Sequence, residues 1–146
     1  VAFQKDGETK PVIIGKPKDA KDAVRILSML SGKTHRVFTG VSVIADIPDE
    51  NADAQCSIRE KAEIQTECSI TEVTFETLSP DEITDYVNSG DPLDKAGSYG
   101  IQGPFGMFVR EIRGNYFTVI GMPIPVLYKM LKKIGILPHG FYERIE

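Results

Sequence analysis

"GKPKDAKDAVRILSMLSGKTHRVFTGV", residues 15–41, reads as a turn, a helix and a strand in immediate succession. Gly15 and Pro17 end the short β-branched run Val12 to Ile14 and turn the chain. Asp19 supplies an N-cap, and Ala20, Ala23, Val24, Leu27 and Leu30 recur at helical spacing until Gly32 stops the helix. The following stretch, "THRVFTGVSVIADIP", is rich in β-branched residues. Both of its alternating sets hold apolar members, Val37, Val41 and Val43 on one and Phe38 and Ile44 on the other. That pattern predicts a central strand buried on both faces.

Outward from this unit further strands and helices follow, with no internal repeat or low-complexity stretch. "PDENADAQ" is a polar loop, and "AEIQTECSITEVTFETL" alternates Ile64, Thr66, Cys68, Ile70 and Glu72 with polar residues, predicting a long strand with room for bulges and a packed Cys68. Ser79, Pro80 and Glu82 form a capping box with proline at the first helical position; Ile83, Tyr86 and Val87 are the buried stripe, and Gly90 ends the helix. "MFVREI", "RGNY" and "YFTVIG" predict a hairpin. Pro123 and Pro125 open a last helix whose apolar side is Val126, Leu127, Met130, Leu131 and Ile134, with Lys129, Lys132 and Lys133 toward its C-terminal end. The stretch after Ile134 has no assignable pattern, and the opening "VAF" reads as the end of a strand. Strands, helices and a hairpin interleaved in this way predict an α/β domain with a mixed sheet and flanking helices.

Composition narrows the function classes. The chain has 146 residues, 41% hydrophobic and 26% charged, with a formal net charge of −4, which suits one soluble domain and offers no basic stripe for a nucleic acid polymer. Two cysteines, Cys56 and Cys68, and two histidines lack metal-ligand spacing and suit a reduced, cytoplasmic setting. No apolar run approaches the roughly 18 residues of a membrane span.

Two segments carry candidate chemistry. Lys16, held between Gly15 and Pro17 just before a helix start, is placed to put a point charge on a phosphate; read alone, such a lysine is more often a solvated surface residue. "DKAGSYGIQGPFG", residues 94–106, has glycine at 97, 100, 103 and 106 around one uncharged amide, Gln102. Each glycine costs roughly 0.5–1 kcal/mol in a regular element, so the segment is either a tightly packed turn or a surface that lets a ligand approach the main chain. It matches neither the P-loop nor the dinucleotide fingerprint. Asp94 and Lys95 read as an exposed ion pair or as part of a site. Glu60, Glu63, Glu67 and Glu72 read as a solvated face, with a divalent ion as the alternative. His35 reads as a hydrogen-bonded structural residue.

Three blocks, the opening stretch together with "FETLSPDEITDYVNSGDPLDKAGSYGIQG" (75–103) and "GNYFTVIGMPI" (114–124), resemble in order and spacing the Maf family of nucleoside triphosphate pyrophosphatases. The resemblance runs from residue 1 to about 135, and the "DKAGSYGIQG" form is similar to the subgroup that hydrolyses dTTP and UTP. It implies a two-lobed, elongated α/β fold related to the inosine triphosphate pyrophosphatases, and a nucleoside triphosphate substrate met with a divalent cation, Mg²⁺ or Mn²⁺. On this template Lys16 matches the phosphate-contacting lysine and Gln102 the base-discriminating glutamine, with Gly100, Gly103, Asp94 and Lys95 as neighbours in substrate binding.

The resemblance also implies that a Ser/Arg-rich phosphate loop and a general-base Asp lie upstream of Val1, so that residues 1–146 are expected to be a single domain lacking its N-terminal part. Asp46, Asp91 and Asp94 are the acidic substitutes within the chain. Asp91 stands where the family usually has Glu, and "GPFG" replaces smaller residues. The expected activity is release of pyrophosphate from dTTP or UTP, with CTP or modified pyrimidine nucleotides as further candidates, in the cytoplasm, with a homodimer as the candidate assembly. The alternatives are a non-catalytic nucleotide-binding or division-regulating module, and one domain of a larger fusion.

Overall fold

The helix predicted from Asp19 occupies Ala20–Leu30 (α1) and follows two short strands, Ala2–Phe3 (β1) and Val12–Ile13 (β2). The chain continues through Thr34–Asp46 (β3), Ala62–Phe75 (β4), Pro80–Asn88 (α2), 3₁₀ turns at Asp91–Asp94 and Pro104–Phe108, Val109–Arg113 (β5), Tyr116–Ile120 (α3) and Ile124–Lys133 (α4). The computed structural model describes residues 1–4, 7, 9–46 and 62–135. Cys56, Glu60 and His139, and the side chains of Asp46 and Glu63, lie outside what is described.

The fold is α/β, with a five-stranded sheet in the order β2-β1-β3-β4-β5. The sheet is antiparallel where a mixed one is expected. α1 links β2 to β3 as a crossover would, but β1 lies between them and runs opposite to both, so these three strands have no parallel neighbours. β5 carries a bulge: Thr74 of β4 faces Glu111 and Phe75 faces Val109, which leaves Arg110 as the extra residue. The chain divides into two compact units, residues 1–39 with 69–123 and residues 40–68 with 124–146.

In the first unit α1 starts as the sequence predicts, with the Asp19 carboxylate accepting from the Asp22 N–H at 2.8 Å. It buries Ala23, Ile26, Leu27 and Leu30, each full Leu or Ile burial contributing roughly 1.5–3 kcal/mol. Ser31 ties its end to the chain leaving β4: its hydroxyl accepts from Leu78 N–H at 2.8 Å. α2 begins with the full capping box, Ser79 Oγ accepting from Glu82 N–H at 3.2 Å and Glu82 Oε2 from Ser79 N–H at 2.7 Å. Ile83, Tyr86 and Val87 form its buried stripe. Both helices join one core with Val37, Val73, Phe75, Tyr99 and Phe105.

β3 is central, as expected, but it is not buried on both faces. His35 and Val37 face the core, while Arg36 and Phe38 are exposed, Phe38 by 46%. β4 likewise buries Thr71, Val73 and Phe75 and exposes Ile70 and Cys68, so the alternating set picked out by sequence is the outward one. The core helices cover a single face here, and on the other Arg36 pairs with Glu72 at 3.1 Å.

The predicted hairpin is the other correction: β5 is followed by a helix, α3. Asn115 caps it through Phe117 N–H at 2.8 Å, and Gly121 closes it in the left-handed region. The Thr71 hydroxyl accepts from Asn115 N–H at 2.9 Å and donates to Asn115 C=O at 3.0 Å. Thr39 donates to Thr118 C=O at 2.7 Å. These tertiary bonds hold the β-branched run Thr118-Val119-Ile120 helical against its propensity.

In the second unit β3 and β4 continue, with Ser42 and Thr66 hydroxyls 2.9 Å apart. α4 buries Met130 and half-buries Val126, Leu127, Leu131 and Ile134, while Lys133 lies 3.8 Å from Glu67.

Candidate functional site

A pocket of about 530 Å³ opens in the first unit. Its walls come from Val1, residues 37–39 of β3, Asp91, Lys95 and Ala96, residues 99–103, and residues 119–121 at the end of α3. The hydroxyl bonds of Thr39 and Thr71 that hold α3 therefore also shape this wall.

The segment 94–106 is folded on itself. Gly97 lies at φ +81°, and Ser98 follows at φ +59°, an unusual conformation for a residue with a Cβ. Ser98 is fully buried and its hydroxyl has no partner among the described residues. Gly97 N–H donates to Gly15 C=O at 3.0 Å, which fastens this segment to the turn carrying Lys16. At Gly106 a Cβ would sit 2.9 Å from the Ile101 carbonyl oxygen, so no side chain fits there without moving backbone. Gly103 N–H donates to Gly100 C=O at 3.2 Å, closing a turn with Ile101 and Gln102 at its corners. Gln102 is exposed and lines the pocket.

Beneath the segment lies a nest of aromatic rings. Phe75, Tyr99 and His35 meet edge to face at centroid distances of 4.7–5.4 Å, and Phe105 packs on Phe75, Tyr86 and Tyr99. His35 Nε2 lies 3.0 Å from the Tyr99 hydroxyl. Burial pushes the His35 pKa down to about 4, so the imidazole is neutral at pH 7, in line with its structural reading. Burial also raises the Tyr99 phenol.

Charge is concentrated at one corner of the pocket. Lys95 Nζ donates to Asp94 Oδ1 at 2.7 Å and to the Asp91 carbonyl at 2.7 Å, and lies 3.1 Å from Asp91 Oδ1. The Tyr86 hydroxyl donates to Asp91 Oδ2 and accepts from Gly100 N–H at 3.1 Å. The Tyr86 bond, with Lys95 beside it, holds the Asp91 carboxyl below the usual range, and the Lys95 ammonium does the same to Asp94.

Residues 5–134 match the family of Maf-like proteins. The chain belongs to the Maf family. It is 46% identical over 125 residues to a dTTP/UTP pyrophosphatase of Bacillus pumilus, a match covering 86% of this chain and 58% of that protein. It is 46% identical over 124 residues to one of Agathobacter rectalis, covering 85% and 56%. With one of Clostridium perfringens it shares 43% over 136 residues, covering 93% and 62%. The chain thus spans about three fifths of the length of the curated relatives it matches.

Of the site residues expected for a Maf chain, Lys95, Gly100, Gln102 and Gly103 line the pocket together. Asp94 is outside its wall, bonded to Lys95. Lys16 is also outside the wall and exposed, near enough for its charge to help lower the Asp94 pKa. Gly97 and Gly106 serve the internal fold of the segment, through a positive φ at the first and close backbone packing at the second, while Gly100 and Gly103 lie on the pocket wall. Among the described residues no group of three or more His, Cys, Asp or Glu converges. Glu72 pairs with Arg36, Glu67 lies near Lys133, and Asp91 and Asp94 are held by Lys95. These residues do not fit a divalent cation on their own. Also among the described residues, no helix is long and apolar enough to cross a membrane. Sequence reasoning missed Phe38 and the end of α3 as pocket wall, and saw Tyr86 only as core. The available signal was a tyrosine, rather than a leucine, in the last turn of α2.

Proposed function

We propose that this Maf chain takes part in hydrolysis of dTTP and UTP, with CTP as a further candidate, to the nucleoside monophosphate and pyrophosphate in the cytoplasm. The observation that carries the reading is Gln102, held at the corner of a closed turn and exposed in a pocket of about 530 Å³. That volume lies within the roughly 300–1,000 Å³ of small-molecule sites. A carboxamide both donates and accepts, which complements the imide edge of uracil or thymine. Lys16 is the phosphate contact in this reading, supported by the bond between Gly15 and Gly97 that fastens its turn to the Gln102 segment. The names of the relatives support the same substrates. The triphosphate is taken as its Mg²⁺ or Mn²⁺ complex.

Water attacks the α-phosphorus, the α,β-bridging bond breaks, and pyrophosphate leaves. A base must take the water's proton. Asp91 and Asp94 are poor candidates, since lowered pKa values make them weak bases and Lys95 occupies their oxygens. That observation favours a second reading, in which residues 1–146 bind nucleotide without turning it over. The test is to incubate residues 1–146, and separately the polypeptide of full Maf length that contains them, with UTP, dTTP, CTP, ATP and GTP in the presence of Mg²⁺ or Mn²⁺. Pyrophosphate release from pyrimidine triphosphates by the longer protein is expected. Release of orthophosphate, or preference for a purine, refutes the assignment; binding without release by residues 1–146 establishes the second reading for them, and turnover by residues 1–146 refutes it.

A further inference from the structure

We propose that Tyr86 and Asp91 form a hydrogen-bonded clamp that sets the position of Gln102, making both of them positioning residues for base selection. The proposal rests on the pyrimidine reading given above. Tyr86 stands in the last turn of α2, its ring buried against Phe105 with centroids 4.8 Å apart. Its hydroxyl bonds Asp91, which lines the pocket. A phenol has one proton and a carboxylate only accepts, so that proton goes to Asp91 Oδ2 and leaves the phenol oxygen to accept from Gly100 N–H at 3.1 Å. The direction of the chain is thereby fixed.

Gly100 is the first residue of the turn that Gly103 closes at 3.2 Å, and Gln102 occupies the turn's third position. Holding the Gly100 amide therefore orients the plane in which Gln102 projects. Asp91 is held in turn by Lys95, whose ammonium also bonds the Asp91 carbonyl and Asp94. A pocket-lining lysine is thus occupied by three oxygens. It acts as the fixed end of the clamp, and the carboxylate it neutralises is kept from repelling a triphosphate. The aromatic floor and the clamp together join the rigid end of α2 to the base-reading turn.

Tyr86→Phe is the decisive variant, because it keeps the buried ring and removes only the hydroxyl. Amide hydrogen exchange of Gly100, followed by NMR, is expected to speed up roughly two- to tenfold, the scale of one hydrogen bond. The ratio of UTP to CTP affinity, measured by titration calorimetry with the Mg²⁺ complexes of both, should fall roughly three- to tenfold on the same basis. In the polypeptide of full Maf length the change should appear in KM more than in kcat. Asp91→Asn should move both quantities the same way, and Asp91→Glu, which keeps the carboxylate, should restore most of the selectivity. Unchanged Gly100 exchange in Tyr86→Phe overturns the clamp, as does faster exchange with an unchanged UTP-to-CTP ratio. If the unsubstituted protein binds no pyrimidine nucleotide, the base-selection role falls together with the functional reading. The exchange rate then still reports whether Tyr86 holds Gly100, which separates the two failures.

Discussion

Lowering the pH from 7 to 5 is expected to destabilise the folded chain by about 2 kcal/mol through one side chain, His35. The imidazole is 1% exposed, and burial holds its pKa at about 4 against 6.5. Below pH 6.5 the unfolded chain takes up a proton that the folded chain refuses. The stabilisation is therefore present in full above pH 6.5, declines as the pH falls toward 4, and is exhausted below that. The gap between the two pKa values sets a ceiling of about 3 kcal/mol, and more than half of it falls between pH 7 and pH 5. The assay is urea unfolding at pH 7, 6 and 5 for the unsubstituted chain and for His35→Gln, with each stability extrapolated to water. Losing the bond to Tyr99 lowers the variant by a constant amount, which cancels from the pH trend. Asp22, Glu82, Asp91 and Asp94 have lowered carboxyl pKa values and titrate below the window; subtraction removes their share. The stability difference between the two proteins should shrink by about 2 kcal/mol on going to pH 5. A difference that stays level across the range would falsify the claim that His35 is held neutral by burial.

Three further outcomes are expected. Lys16→Ala should slow pyrophosphate release in the full-length protein about ten- to a hundredfold, the scale of one hydrogen bond to a charged group; an unchanged rate at saturating UTP removes Lys16 from the site. Gln102→Ala should reduce discrimination between UTP and CTP more than it reduces turnover of the preferred substrate, and equal losses on both would make Gln102 structural. Leu27→Ala, at a fully buried position of α1, should cost about 2–5 kcal/mol in thermal or urea unfolding, and a cost under about 1 kcal/mol would contradict the packing of α1 in the core.

α1 and α2 could be read directly because their signals are local. Asp19 and the Ser79–Glu82 box each satisfy backbone groups within three residues of themselves, so no distant partner is needed to define them. The GKP turn and the spacing around Gln102 stood out for the same reason: unusual residues at short range. α3 did not. A window of Thr118, Val119 and Ile120 favours a strand, and the bonds that overrule it come from Thr39 and Thr71, tens of residues away in sequence.

Burial in β3 and β4 was illegible for a different reason. Both alternating sets contain apolar residues, and period alone does not say which face the helices cover. Sequence by itself determined where the chain turns, where two helices begin, and that Gln102 sits in a costly segment. Only the tertiary structure decided that Gln102's turn hangs from Tyr86, that Lys95 is already engaged by two carboxylates, and that His35 is neutral. A hydrogen bond between Tyr86 and Gly100, or the desolvation of an imidazole, depends on groups that meet only after α2 and the sheet have packed.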